Sequence, residues 1–453
     1  MLELIIALFI ILITVNLIRK KYDIKVMMFG SGLVMMLVAI FLGHEIMSPE
    51  SSSGIIFMDV FRFIGNSFTN QLGGAGFIIM LLFGYTAYMK EIGANEMTVR
   101  LLSAPLQHLK HKDLMIPIFF IIGNLLCIII PSASSLAVLL MSTAYPILVK
   151  AGASPLGVAA VIATSATIAP TPLGIDNVLA ANALSMSLTD YVFNYHAIIS
   201  IPIIFILAFV HYFWQKWCDK RDGETGFVMP KIIDFSQSKK IKCPKIYAIL
   251  PMLPLILMII VTIFFNESEL DIIEVTLFSF VIAIVCEIIR LQSFERASGQ
   301  IEVFFKGMGT GFTAVIVQVV AALTFVGGLR MLGVIDYLTQ LINEVNGGGF
   351  LVVIAFCLLV LFVGTISGSG LALFFAFIDL VPTLAAAANI PPVMLAIPMQ
   401  FTAHFVKSIS PLAPTVVITS SMAGITPMKL IKRTIVPSIV GIMLSILFSY
   451  FIF

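Results

Sequence analysis

The chain has 453 residues, 60% of them hydrophobic and 11% charged, with a formal net charge of +2 and a mean hydropathy of +1.09. Soluble domains carry about 25% charged residues, so this composition belongs in a lipid bilayer. With neither a basic tail nor a basic patch interleaved with aromatics, a nucleic-acid partner is excluded. The five cysteines (Cys127, Cys218, Cys243, Cys286, Cys357) are scattered without CxxC spacing, so neither a disulfide framework nor a zinc site is expected.

The first apolar run carries Glu3 where a secretory signal is basic, and no small-residue cleavage site follows. It reads as a retained span. Apolar segments of membrane-crossing length are expected at 2–18, 25–43, 72–90, 195–214, 247–266, 271–290, 311–329 and 434–452. Two longer regions, 114–150 and 350–387, are paired apolar arms around polar tips, Pro131 to Ser135 and Gly364 to Gly370. Two further apolar segments, 155–184 and 391–424, are broken at 168–177 and 407–415. Unsatisfied backbone is costly in hydrocarbon, so such breaks survive only when buried in protein or lining a wet cavity.

Lys and Arg accumulate in cytoplasmic loops. If the two-armed regions are re-entrant hairpins and each broken segment crosses once, all 26 Lys and Arg fall inside except Arg62, Arg330 and Lys407. Lys407 then lies within a membrane segment. Letting either hairpin cross twice leaves the sides unchanged, but the short Pro, Ser and Gly tips favour re-entrance. Both termini are expected outside, with a cytoplasmic linker at 215–246 whose polar makeup suggests a tether.

The halves share an order of features at a nearly constant offset. Gly93 matches Gly333, Ser132 to Ala137 matches Ser367 to Ala372, and Pro146 and Pro155 match Pro382 and Pro391. Pro170 likewise matches Pro411, and Thr189 matches Thr426. Five crossings per half is odd, so the second copy must be inverted. The expectation is an all-α polytopic membrane protein of two inverted repeats, 1–214 and 247–453, each with five crossings (one a broken helix) and one re-entrant hairpin. Discontinuous helices at equivalent places in inverted repeats are a transporter signature, with the site near the midplane.

New half-helices are expected after Ser134, Pro172, Ser369 and Pro411. A helix N-terminus carries about half a positive charge, so four converging ones suit a small organic dianion. Ser132, Ser134, Ser135, Thr171, Asn177, Ser367, Ser369, Ser408, Ser410 and Thr415 add polar groups, and Gly368 and Gly370 allow close backbone approach. Each hydroxyl could equally bond back into its own helix. Lys407 has two readings: a partner for a substrate carboxylate, or a structural partner of Asp176. Asp176 could bind a coupling cation or proton, or neutralise Lys407. His404 reads as a packed or hydrogen-bonding histidine rather than a proton carrier. Sodium would find hydroxyls and carbonyls near Ser134 and Ser369. No cofactor is expected, and no HExxH or Ser–His–Asp set points to an enzyme.

The stretches 84–96, 132–146, 168–190, Phe213 with Trp214, 367–377, 397–399, Ser410 with Pro411, and 432–434 resemble the DcuC-type anaerobic carriers of four-carbon dicarboxylates, within the ion-transporter superfamily. The resemblance implies fumarate, succinate, malate or aspartate as substrates, a scaffold and a moving transport domain, a homodimer, and the bacterial inner membrane. Asp176 stands where the family has an acidic residue. Lys407 stands where arginine is usual, which keeps the charge but loses bidentate geometry. The second tip continues Gly370-Leu371 where the family often has Ser-Gly-Asn. The same fold carrying another organic anion or an amino acid is the alternative.

Overall fold

The computed structural model describes residues 2–20, 22–105, 114–224, 243–264, 270–344 and 348–453. Most of the linker expected at 215–246 therefore lies outside the described residues, while 215–224 extend a long helix. Regular structure among the described residues is helical, and ten helices are long and apolar enough to cross a membrane.

The first half opens with α1 (Leu2–Arg19) and α2 (Ile24–Phe41). Asp23 caps α2 by accepting from the backbone N–H of Lys25 and Val26. Then come α3 (Ile56–Gln71), α4 (Phe77–Glu91) and α5 (Ala94–Ser103). The first hairpin is α6 (Met115–Ile129) and α7 (Ala133–Lys150), and the broken helix is α8 (Pro155–Thr164) and α9 (Ile175–Ala183). A turn at Leu188–Asp190 and a wide turn at Tyr191–His196 lead into α10 (Ala197–Glu224). The second half runs α11 (Leu253–Phe264), α12 (Ile272–Leu291), α13 (Phe294–Gly311), α14 (Val317–Met331) and α15 (Val334–Glu344). Its hairpin is α16 (Gly348–Ser367) with α17 (Gly370–Phe377) and α18 (Val381–Ala387). The chain ends on α19 (Pro392–Ile409), α20 (Pro414–Met422) and α21 (Pro427–Ile452).

The spans expected at 72–90 and 311–329 belong to longer helical stretches, Ile56–Glu91, which is kinked at Gly74, and Phe294–Met331. At 1.5 Å per residue, each outruns a hydrocarbon core of about 30 Å. Their lead-ins α3 and α13 are amphipathic and carry Asp59, Arg62, Glu295, Arg296, Glu302 and Lys306. Those charges pull them below an apolar window, which is why only the second part of each reads as a span. Both helices widen into π geometry at the junction, at Leu72–Gly76 and Phe312–Ile316, and Gly74 leaves helical φ/ψ altogether.

Equivalent backbone devices recur in the two halves. Gly93 (φ 80°) and Gly333 (φ 68°) both turn the chain in the left-handed region. Ser132 and Ser369 are N-caps that accept from the N–H of Ser135 and Ala372. By this role Ser132 corresponds to Ser369, two residues away from the pairing with Ser367 that sequence matching gives. Three half-helices start elsewhere than expected, at Ala133, Ile175 and Pro414, while the fourth starts at Gly370, directly after Ser369 as expected. At Ala133 the start follows the Ser132 cap rather than the last polar residue of the tip.

Two groups of helices pack side by side. In one, α4 lies along α13 and α2 along α14. Glycines bring the backbones together: a Cβ on Gly32 would sit 2.5 Å from the Thr324 carbonyl, and one on Gly84 2.8 Å from that of Phe304. The other group holds the hairpins and broken helices, with α19 packed on α16, α17 and α21, and α7 on α8 and α20. At one end of this group, buried Arg433 bonds Asp219 and Asp222, and Ser154, the N-cap of α8, donates to Asp219 at 2.6 Å. The far end of the first group carries the Glu3–His44 pair at 2.7 Å.

Candidate functional site

At the seam between the two groups lies a cavity of about 490 Å³. One wall comes from Ile24 and Lys25 of α2, Leu82, Phe83 and Thr86 of α4, and Ala314, Val315 and Gln318 around the second π segment. The other wall comes from Pro131 to Ser134, Leu173, Ile175, Asp176, Gly368 to Ala372, Phe375, Lys407, Pro414 and Thr415. The N-termini of α7, α9, α17 and α20 therefore meet at one cavity. With about half a charge each, they give it roughly two positive charges' worth of dipole. Helix N-termini are favourable surroundings for an anion.

Of the residues singled out from sequence, the cavity wall includes Ser132, Ser134, Asp176, Gly368, Ser369, Gly370, Lys407 and Thr415. The others are used inside the protein. Thr171 donates to the Ile128 carbonyl at 2.7 Å, and Ser410 donates to the Thr365 carbonyl, also at 2.7 Å. Each ties a helix break to the outgoing arm of its own hairpin, the same stitch in both halves. Ser367 bonds back to Gly364, and Ser408 bonds the Phe405 carbonyl and the Ser438 hydroxyl. Ser135 sits beneath its cap, 3.1 Å from the Ser132 hydroxyl. Asn177 spans its own break by donating to the Thr171 carbonyl at 2.8 Å. In this structure these six are engaged inside the protein, with nearby carbonyls or neighbouring hydroxyls, rather than in the cavity wall.

Gly368 and Gly370 owe their identity to packing. Gly368 has φ 80°, and a Cβ on Gly370 would come within 2.4 Å of the Ala403 carbonyl. The second tip is thereby seated directly on the backbone of α19, which carries Lys407.

The charged residues form a directional chain. Lys407 Nζ donates to His404 Nδ1 at 2.8 Å, so His404 presents its other nitrogen as N–H to Asp176 Oδ2 at 2.6 Å. Gln400 Nε2 donates to the same carboxylate oxygen at 2.5 Å and to Asn177 Oδ1 at 2.7 Å. Its carbonyl accepts from Tyr191 at 2.6 Å. Asp176 and Lys407 thus balance one another through His404, which is hydrogen-bonded on both ring nitrogens as its sequence reading anticipates. Gln400 and Tyr191 were not foreseen. The available signal was helical spacing, because Gln400, His404 and Lys407 fall at i, i+4 and i+7 on one face of a mostly apolar helix. Lys25, counted from sequence only among the cytoplasmic basic residues, also reaches the cavity wall, where it donates to the Thr313 carbonyl at 2.9 Å.

A family model for the C4-dicarboxylate anaerobic carrier, DcuC, matches residues 2–452. The chain belongs to the DcuC family. It is 32% identical over 448 residues to the anaerobic C4-dicarboxylate transporter DcuC of Escherichia coli K12, covering 98% of this chain and 95% of that one. The probable anaerobic C4-dicarboxylate transporter DcuC of Vibrio cholerae is also 32% identical, over 99% of this chain and 97% of its own. Among solved structures, MtrF of Neisseria gonorrhoeae, described within a class of antimetabolite efflux pumps, aligns with a TM-score of 0.59 over 97% of both chains at 14% identity. That likeness concerns the fold. The DcuC relatives are named as transporters, and this chain is accordingly a polytopic membrane transporter-family protein and not an enzyme.

Proposed function

We propose that the protein is a secondary active carrier of C4-dicarboxylates such as succinate, fumarate, malate or aspartate, with the seam cavity as its substrate site. The observation that carries this reading is the meeting of four helix N-termini and Lys407 at one cavity. Lys407 would take one carboxylate, and the capped tips at Ser132 to Ser134 and Ser369 to Gly370 would offer N–H and O–H donors to the rest of the dianion.

The two halves serve as inverted repeats, with 114–150 and 350–387 as re-entrant hairpins. The hairpin-bearing helices act as a transport domain that slides against α2, α4, α13 and α14 as an elevator. The bias of basic residues supports termini outside and a cytoplasmic linker, and the family resemblance supports an inner-membrane homodimer. On that reading Ile24 and Lys25 belong to the cytoplasmic end of α2, and their place in the cavity wall supports an inward-facing arrangement. Transport runs by exchange or by cation coupling.

A second reading keeps the carrier and changes the cargo to another organic anion or an amino acid. It is favoured by Lys407, which replaces a bidentate guanidinium by a point charge, and by Gly370-Leu371 at the second tip. A thermal-shift screen of the purified protein separates the two. Ligand at about 100 times its Kd adds about 2.7 kcal/mol of stability, so C4-dicarboxylates should raise the melting temperature. A shift with monocarboxylates or amino acids, and none with C4-dicarboxylates, would transfer the assignment to the second reading.

A further inference from the structure

We infer that His404 Nδ1 is a proton-binding site, and that a proton there releases Lys407 into the cavity so that one proton and one substrate dianion are bound together. The inference rests on the dianion-carrier reading of the cavity. Among the described residues, the ammonium of Lys407 makes one hydrogen bond, to His404 Nδ1 at 2.8 Å, while its side chain forms part of the cavity wall. The imidazole is held from behind by Asp176, which accepts from Nε2–H at 2.6 Å and is itself fixed by Gln400. The ring is therefore oriented with its one free lone pair pointing at the lysine that faces the substrate space.

A proton on Nδ1 turns that acceptor into a donor. Lys407 then loses its partner and faces a second cation at contact distance, while Asp176 keeps the imidazolium in place. The open direction for the ammonium is the cavity, where a carboxylate would receive it. In the reverse order, a dianion that draws Lys407 away leaves the Nδ1 lone pair buried without a donor, which favours taking up a proton. Each ligand strengthens the other, as linkage requires.

The surroundings of His404 leave this exchange to few groups. Besides Asp176 and Lys407, the titratable neighbours are Tyr191 and His196 ahead of α10, Cys127 on α6 and Cys357 on α16. Helices α8, α17, α18 and α20 contain no titratable side chain. Against α19, α21 presents Ser438 and Gly441, and its basic residues lie at its end, where Arg433 is engaged by Asp219 and Asp222. Tyr191 already donates to Gln400, and His196 packs its ring on Phe401, 4.7 Å between centroids.

The test is to add succinate to the purified full-length protein in weakly buffered detergent solution with a pH indicator, at pH values where succinate is already a dianion. Binding is measured in parallel by calorimetry. Near neutral pH the wild type should take up about one proton per succinate bound. Its Kd should be lowest at acid pH and weaken toward tenfold per pH unit as pH rises. His404→Gln should bind more weakly, without proton uptake and with a Kd flat in pH, whereas His196→Asn should keep the uptake. Succinate binding by wild type with no proton uptake and a flat Kd would overturn the inference and leave the carrier reading standing. Uptake that survives in His404→Gln, or disappears in His196→Asn alone, would also overturn it. Absence of heat and of proton uptake with every C4-dicarboxylate would overturn the dicarboxylate reading, and this inference with it.

Discussion

At the scale of single residues, the account turns on which polar groups face the cavity and which are spent on the fold. Lys407 faces it, so Lys407→Ala should cost about 2 kcal/mol or more of substrate binding, roughly a thirtyfold rise in Kd. Lys407→Arg, with its planar fork, should retain binding better than Ala, as a calorimetric titration with succinate would show. Arg433 is the structural contrast. Its guanidinium is buried against two carboxylates at the end of α10, so Arg433→Leu should remove one partner from each and lower stability by about 1–3 kcal/mol, read as an earlier unfolding transition in detergent. Composition and intramembrane position alone marked Lys407 and Asp176, because a charge in apolar sequence stands out. They could not tell Thr171 or Ser410 from Ser132 or Ser134. All four are hydroxyls in polar breaks, and only the placement of the Ile128 and Thr365 carbonyls decides which become stitches.

At the scale of elements, two devices hold the hairpins to the neighbouring broken helices, the first in both halves and the second at the second tip. One is the hydroxyl stitch from the break to the outgoing arm. Thr171→Val and Ser410→Ala should each cost about 1 kcal/mol and should weaken transport through tip disorder rather than through lost substrate contacts. The second device is the absence of a side chain at Gly370. Because the obstacle is backbone, Gly370→Ala should cost about 1–3 kcal/mol and lift the second tip from α19, impairing substrate binding more than it impairs folding. Both outcomes can be read by comparing melting temperature with succinate affinity in the same samples. The repeated succession of elements was legible because proline, glycine and serine punctuate apolar sequence at matching offsets. Register at the first tip was not. Its half-helix starts at Ala133, two residues before the start expected after Ser134, because Ser132 is the residue whose φ/ψ and side chain make the cap, whereas the second starts after Ser369 as expected. The amphipathic lead-ins α3 and α13 escaped for a different reason, since their charges hide them from any test based on mean apolarity.

At the scale of the whole molecule, one cavity collects contributions from both halves and both helix groups, which a sequence walk cannot assemble. The seam explains why Lys25, Gln318 and Thr86 face the same space as the hairpin tips although they lie on the other side of it. If the hairpin group slides past α2 and α4, contacts such as the Lys25 hydrogen bond to the Thr313 carbonyl remain within the static group, while the distance from Lys25 to Lys407 changes. The central claim is that this seam carries a four-carbon dianion across a membrane. Its most direct test is counterflow: proteoliposomes loaded with unlabelled succinate, diluted into labelled succinate, and compared with vesicles carrying Lys407→Ala. The account predicts transient accumulation of label in wild-type vesicles, competed by fumarate and nearly abolished by the substitution. Vesicles that accumulate no label with succinate, fumarate, malate or aspartate, although the protein is folded and inserted, would contradict it.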